Sequence, residues 1–506
     1  MSISSKLRHQ YFLYIAFALI VAVWVIGMAA SKTLARTQSN HIGLTLLIPQ
    51  ASSLEHPVTQ AWLATAKEAG ILLNAMTDDE FVRARANKIP MAGVVLPDSV
   101  HQQASDLLIT HLYQYVNEGG DLLVSFDAAT LQHGRATYSK ESSRLSELVG
   151  VKYALYNTLG DATTVQGVVY ANRDAEKKLA IQPGKLDFGV KDRDPWGALT
   201  TYAYEALNYS YYKTMGTGRT EALLKSGQQD AIVARSNYGG GTVLFANLPL
   251  GYLKTRTDGY LLHKLLTYFA TNVAKQPQLA ATPDAIGGVI LSSEQQLEAT
   301  GQHKTMKGAR AYYTTADSGL GPTHSYAFGE PAQGKDIWAF PISHFKQSAS
   351  LNEISEQGVS QADIHNFIAT FLKHVSDNHI ARTLHFNPGP QVQDSQAMDS
   401  LTIEASKLQD IGRFRWYRMN DLAEFMTLRE RTRWQVTQST LESSKQLNAY
   451  NESSLISQTW IFDKASTQAL KLLEGKAQIK EVGDKWMVTA GHCRSLVIEW
   501  QETGKS

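Results

Sequence analysis

Cysteine is nearly absent from this chain, since its 506 residues include only Cys493. A single cysteine excludes an intrachain disulfide and a cysteine-built zinc site. Nor is there an excess of either charge, because 48 Lys and Arg stand against 47 Asp and Glu for a net charge of +1. Nucleic-acid binders carry a basic excess or stripe, so that class is set aside. There is no second long hydrophobic run, so a polytopic membrane protein is excluded as well. What remains is ordinary globular material, 43% hydrophobic and 19% charged, and enough of it for about three domains.

The one long apolar run is residues 11–30, YFLYIAFALIVAVWVIGMAA, which carries no charge. At about 1.5 Å per residue it matches the roughly 30 Å hydrocarbon layer and predicts a single transmembrane helix. Lys6 and Arg8 before it favour an inside N-terminus, and Lys32 and Arg36 after it weaken the asymmetry. The alternative is a cleaved signal peptide, for which Met28, Ala29 and Ala30 supply small residues. Either reading exports the body, and the anchor reading places it at the inner membrane, in the periplasm or outside the cell.

Residues 41–276 read as an α/β domain. Short apolar runs at 41–49, 71–76, 91–97 and 121–127 alternate with helices at 57–70 and 105–118, each helix closing at glycine. Such alternation predicts a doubly wound parallel sheet covered on both faces. Gly239, Gly240 and Gly241 turn into a strand at 242–246, and a helix is expected from Asp258. Between these parts, 153–210 is rich in tyrosine and in alternating apolar residues such as TTVQGVVYA, a pattern for added strands or a surface insertion. Tyr202, Tyr204, Tyr209, Tyr211 and Tyr212 could stack on sugar rings or serve as half-buried strand residues.

The segments QYVNEGGDLLVSFD and YGGGTVLFANLPLGYLKTRTDGYLLHKLLTYFATNV resemble the class I glutamine amidotransferase-like fold. The resemblance implies a cysteine nucleophile on a strained strand-to-helix turn. This region has no cysteine, and no G-x-S-x-G offers a serine elbow instead. The domain therefore reads as a recognition or packing module.

After a linker at 277–284, residues 285–431 suggest an α/β barrel: IGGVIL, DIWAFPISHF, a helix at 360–378, ARTLHFNPGP, a helix through 398–410 and FRWYRMNDLAEF. That order resembles the polysaccharide deacetylase superfamily, which implies an aspartate pair after the first strand, two metal-binding histidines and a late general acid. Ser292, Ser293 and Glu294 stand where the aspartates are expected, and the late strand carries His385 and Asn387. No catalytic residue, metal ligand or cofactor is assigned. His374 and His379 lie five apart, a poor spacing for one helical face. The loop 300–334 contains His303, His324 and Glu330, its length suggests a lid or a deletion of barrel elements, and its two histidines join His374 and His379 as the metal-ligand candidates. Asp336, Trp338, His344, His385 and Asn387 are the candidate saccharide-binding residues of this domain, with core packing the alternative for Trp338.

Residues 432–506 change to period-two spacing with a hairpin turn at Gly483 and Asp484, a pattern for a small β-sandwich. Trp434, Trp460, Trp486 and Trp500 could form a sugar platform or fill its core, and Cys493 reads as a buried apolar residue. The two resemblances imply a membrane-anchored, non-catalytic polysaccharide-binding or scaffolding component of exopolysaccharide or envelope polysaccharide biosynthesis or export. Its partners would be polysaccharide, the membrane and a synthesis or export complex. A divergent deacetylase or glycoside hydrolase, and a purely structural organiser, are the alternatives.

Overall fold

The computed structural model describes residues 42–132, 143–153, 164–165, 168–171, 173–181, 200–203, 209–216, 220–256, 259–293, 311–314, 323–324, 326–327, 330–331, 338–341, 360–377, 379–386, 395–439 and 444–503. The expected membrane span at 11–30 lies outside them, and no helix among the described residues is long and apolar enough to cross a membrane.

The first module is a nine-stranded mixed sheet. Its strands and helices run β1 (Leu44–Ile48), α1 (Pro57–Ala69), β2 (Leu73–Thr77), α2 (Asp78–Ala86), β3 (Gly93–Leu96), α3 (Asp106–Asn117), β4 (Leu122–Ser125), β5 (Val168–Ala171), α4 (Arg173–Leu179), β6 (Thr200–Ala203), β7 (Glu221–Ser226), β8 (Ala231–Tyr238), β9 (Gly241–Ala246), α5 (Leu250–Thr255) and α6 (Tyr260–Tyr268). The spatial order is β6-β5-β7-β8-β9-β4-β3-β1-β2. Strands β9, β4, β3, β1 and β2 are parallel, while β8, β7, β5 and β6 extend the sheet in antiparallel fashion.

Local chemistry sets the helix ends. Ser105 accepts the Leu108 N–H to start α3, and Thr77 with Glu80 forms a capping box at α2. Gly70, at φ 69°, ends α1 in the left-handed conformation. The expected helix start at Asp258 lies outside the described residues, and α6 begins at Tyr260 after Gly259. Each strand sends alternate residues to opposite faces. Leu44, Leu46, Val95, Leu123 and Leu244 pack with Trp62 of α1 and Leu262 of α6 on one side. Val94, Leu96, Leu122, Val124 and Phe245 pack with Phe81 of α2 and Leu112 of α3 on the other. The parallel sheet is thus covered on both faces, as its continuous apolar strands require.

The second module places β11 (Gly287–Ser293) between β15 (Ala381–Phe386) and β16 (Phe414–Trp416) in a parallel three-stranded sheet. Helices α7 (Gln361–Asp377), α8 (Ser395–Asp410) and α9 (Met419–Arg431) belong with it. A second sheet joins β12 (Ala311–Thr314), β14 (Trp338–Pro341) and β13 (Thr323–His324). These two three-stranded sheets, with a short antiparallel ladder of Tyr326–Ala327 on Glu330–Pro331, are what the described residues contain of the expected barrel.

The third module stacks two antiparallel four-stranded sheets. One contains β10 (Gln278–Leu279), β19 (Thr459–Asp463), β22 (Lys485–Ala490) and β21 (Ala477–Val482). The other contains β17 (Arg433–Gln438), β18 (Ser444–Tyr450), β23 (Ser495–Glu502) and β20 (Thr467–Glu474). Strand β10 comes from the 277–284 linker, so the connection between modules is itself built into the sandwich. Gly483, at φ 61°, makes the two-residue turn between β21 and β22.

Candidate functional site

In an open parallel sheet, ligands settle outside the carboxyl ends of the strands where the strand order reverses. Counted over the parallel strands alone, that order is 2-1-3-4-9, and the reversal falls between β1 and β3. The turn after β3 carries Asp98, Ser99 and His101, and the turn after β4 carries Asp127.

Asp98 is fully buried and already saturated. It accepts Trp62 Nε1 at 3.2 Å, Ser125 Oγ at 3.3 Å, Gly251 N at 2.8 Å and Tyr252 N at 3.0 Å. Burial pushes its carboxyl up, and the Gly251 and Tyr252 N–H groups oppose the shift. Gly251 permits the fit, because a Cβ there would lie 2.5 Å from Val58 Cγ1 and 2.6 Å from Trp62 Nε1. The crevice beside Asp98 is therefore filled by α1 and α5. Asp127 accepts the Ser99 N–H at 2.8 Å and a hydrogen bond from the Gln102 amide.

Ser99, Phe126 and Ala129 adopt φ values of 61°, 49° and 56°. Such residues are strained by about 1 to 3 kcal/mol each, and the Asp127 bonds hold the turn that contains Ser99. Ser99 thus sits on a left-handed strand exit without the glycines that advertise one in sequence, a feature no motif search would find. Its Oγ meets Asp98 Oδ2 at 3.5 Å, too long to activate a hydroxyl. The His101 ring is buried and gives its Nε2 to Asp78 Oδ1 at 2.7 Å.

A second site lies where the three modules meet. A cavity of about 250 Å³ is lined by α4 and α6 of the first module, by Asp377, His379 and Arg413 of the second, and by Asp463, Asp484 and Lys485 of the third. Gln278 spans its wall, donating to Ala69 O at 2.8 Å and sharing a 2.8 Å hydrogen bond with His379 Nδ1. Burial drives His379 down to about 3, and the Lys485, Arg413 and Lys264 charges push the same way against Asp484. Burial likewise holds His263 and Lys264 well below their ordinary values.

Beside the cavity Arg429 of α9 closes the junction. Its Nε donates to Ala280 O at 2.8 Å, and its two terminal nitrogens donate to Lys67 O at 3.3 Å, Glu68 O at 3.2 Å and Leu279 O at 3.1 Å. These acceptors include carbonyls of the last turn of α1, where a helix runs out of its own donors; Lys67 O also takes the capping Gly70 N–H at 3.2 Å. Burial lowers Arg429 to about 10, with Glu68 and Glu430 opposing.

Of the residues nominated from sequence for saccharide binding, Trp338 and His385 fall among the described residues. Trp338 is buried against Phe340, Leu422 and Phe425 and donates its indole N–H to Thr427 Oγ1 at 3.0 Å. It serves the core, because its apolar ring and single donor are both satisfied there. His385 lies on β15 opposite Ser292. Asp336, His344 and Asn387 lie outside the described residues, as do His303 and Glu294.

Tyr211 and Tyr212 are buried, and Tyr212 stacks on Phe126 with centroids 4.7 Å apart. Trp460 and Trp500 fill the sandwich core, with Trp434 and Trp486 packed half-buried against it. Cys493 is half-buried rather than enclosed, since it packs at the edge of that core. Among the described residues no group of three or more His, Cys, Asp or Glu could hold a metal.

No family model matches the chain, and no curated protein matches its sequence. Among solved structures it is similar to an α-L-fucosidase from Paenibacillus thiaminolyticus, at 8% identity and TM-score 0.33, over 92% of this chain and 49% of that one. A β-galactosidase from Bacillus circulans sp. alkalophilus aligns at 8% identity and TM-score 0.31, over 91% of this chain and 42% of that one. A ThuA-like protein from Bacteroides uniformis aligns at 11% identity and TM-score 0.29, over 45% of this chain and 88% of its own. The chain thus spans less than half the length of either glycosidase. At these scores the likenesses carry no conclusion about activity.

Proposed function

We propose that this chain is a membrane-anchored, non-catalytic polysaccharide-binding or scaffolding component of exopolysaccharide or cell-envelope polysaccharide biosynthesis or export. In this reading the first module is a degenerate amidotransferase-like domain and the second a degenerate deacetylase-like one, and the 11–30 segment holds the body at the inner membrane. The observation that carries the proposal is the junction cavity. All three modules contribute polar groups to it, and Lys264 Nζ, His263 Nδ1, Thr267 Oγ1 and both polar atoms of Gln276 are buried without a hydrogen-bond partner. Convergent polar groups of that kind suit holding a ligand.

The test is calorimetric titration of the full chain, in detergent micelles, with neutral and acidic oligosaccharides of envelope type. Saturable binding supports the proposal. Absence of binding across the panel removes the glycan role and leaves only the organiser of a membrane complex.

A hydrolytic reading has one observation in its favour, the left-handed Ser99 at the switch point. Labelling of Ser99 by a fluorophosphonate probe would establish a reactive hydroxyl. No labelling is expected, because Asp98 is committed to α5 and His101 to Asp78.

A further inference from the structure

The charges lining the junction cavity do not balance. Six basic side chains, Lys177, Lys178, Lys264, Lys373, Arg413 and Lys485, line it with three carboxylates, and of the six Lys178 is paired outside the lining with Glu221. Each carboxylate is already engaged. Asp377 takes Arg413 at 2.8 Å together with Lys373, Asp463 takes Lys485 at 3.2 Å and Lys275 at 3.5 Å, and Asp484 takes Lys485 at 3.4 Å.

Lys264 stands apart from that network. Its Nζ is buried without a hydrogen-bond acceptor, and its nearest aromatic contact is the Tyr260 ring, with the centroid 5.5 Å away. Arg413 Nε, also buried, has no acceptor either. An enclosed ammonium costs several kcal/mol unless it gains a counter-charge or loses its proton. A cation–π contact offsets only about 0.5 to 2 kcal/mol of that. Asp377 pulls the Lys264 charge back toward the protonated form while Arg382 opposes it. A neutral sugar hydroxyl in the cavity would satisfy geometry but not charge, whereas an oxyanion would satisfy both and draw Lys264 to its protonated form.

We infer that the junction cavity is an anion site for the carboxylate or phosphate of an acidic sugar residue, with Lys264 and Arg413 Nε as its donors. The inference rests on the polysaccharide-binding reading and narrows it to acidic glycans. The volume of about 250 Å³ equals the share of roughly eight waters, the scale of one sugar ring.

The experiment titrates the full chain in detergent micelles with trigalacturonate, with a neutral galactose trimer and with inorganic phosphate, for the parent protein and for Lys264→Met. Trigalacturonate is expected to bind saturably, at least about tenfold more weakly in the variant, since a charge-assisted hydrogen bond is lost. Binding of phosphate but not trigalacturonate, with the same loss in the variant, supports the site and assigns phosphate as the anion. An anion that binds both proteins equally overturns the inference. So does a neutral trimer that binds as well as the acidic one, although glycan binding itself then stands. Failure of all three probes overturns both. Should Lys264→Met fail to fold, Lys264→Gln, which keeps a polar donor and removes the charge, reads the same charge dependence.

Discussion

Replacing Arg429 by alanine removes four hydrogen bonds that join α9 to the end of α1 and to the linker, with acceptors Ala280, Lys67, Glu68 and Leu279. Each bond to a neutral carbonyl is worth about 1 kcal/mol net, and buried carbonyls left unsatisfied cost about as much again. Relief of the guanidinium's own desolvation offsets part of this, so the expected loss is about 3 to 4 kcal/mol. In urea, at a slope of roughly 1 to 3 kcal/mol per molar, the first unfolding midpoint should fall by about 1 M or more. Limited proteolysis should reveal new cleavage within 277–284, because those residues lose their clamp. Arg429→Lys should recover little, since an ammonium lacks the fork that reaches acceptors on two segments. A variant that unfolds within about 0.5 kcal/mol of the parent, a shift typical of an inconsequential substitution, and that gains no cleavage site would refute the reasoning.

The same junction predicts that Gly70→Ala is costly. A methyl at that φ of 69° would meet the Leu279 carbonyl and approach Arg429 Nη2 to 2.7 Å, so a loss of at least about 2 kcal/mol is expected in urea unfolding. His379, lowered to about 3 and half-buried on the cavity, adds no pH dependence above its unfolded value near 6.5. Below 6.5 only the unfolded chain takes up the proton, so stability should fall by about 1 kcal/mol between pH 7 and 5.5 after allowance for exposure. His379→Asn, which tolerates the left-handed φ of 55°, should flatten that part of the urea-midpoint profile, and an unchanged slope would contradict the assignment. Lys264→Met should raise the thermal midpoint, consistent with about 1 kcal/mol or more of relieved burial cost, and a lowered midpoint would count against an unpaired ammonium. Trp338→Phe should cost about 1 kcal/mol through the lost Thr427 bond while leaving saccharide titrations unchanged, and weakened binding would return Trp338 to the site.

Much of the first module could be read from local pattern. The apolar runs at 41–49, 91–97 and 121–127 contain β1, β3 and β4, the run at 71–76 contains all of β2 but Thr77, and Ser105 and Gly70 mark helix ends because caps act through neighbouring backbone groups. The antiparallel extension was less visible. The region of β5 and β6 read as added strands or a surface insertion without a place in the sheet, since β5 pairs with β7 more than 50 positions away and β6 joins the sheet only through β5. Trp338 had the composition of a sugar-stacking residue, and its commitment to Thr427 is a contact across 89 positions that no window could contain.

Sequence by itself determined the alternation of strand and helix, the period-two C-terminal region, the charge balance and the absence of cysteine chemistry in the first module. These are local or compositional properties, fixed by propensity and side-chain type. Tertiary structure decided the rest: that Asp98 caps α5 instead of facing a substrate, that Arg429 clamps the modules together, and that Lys264 lies without a hydrogen-bond acceptor at their junction. Each outcome depends on burial and on partners brought from distant segments, and a buried charge takes its meaning from what the fold sets beside it.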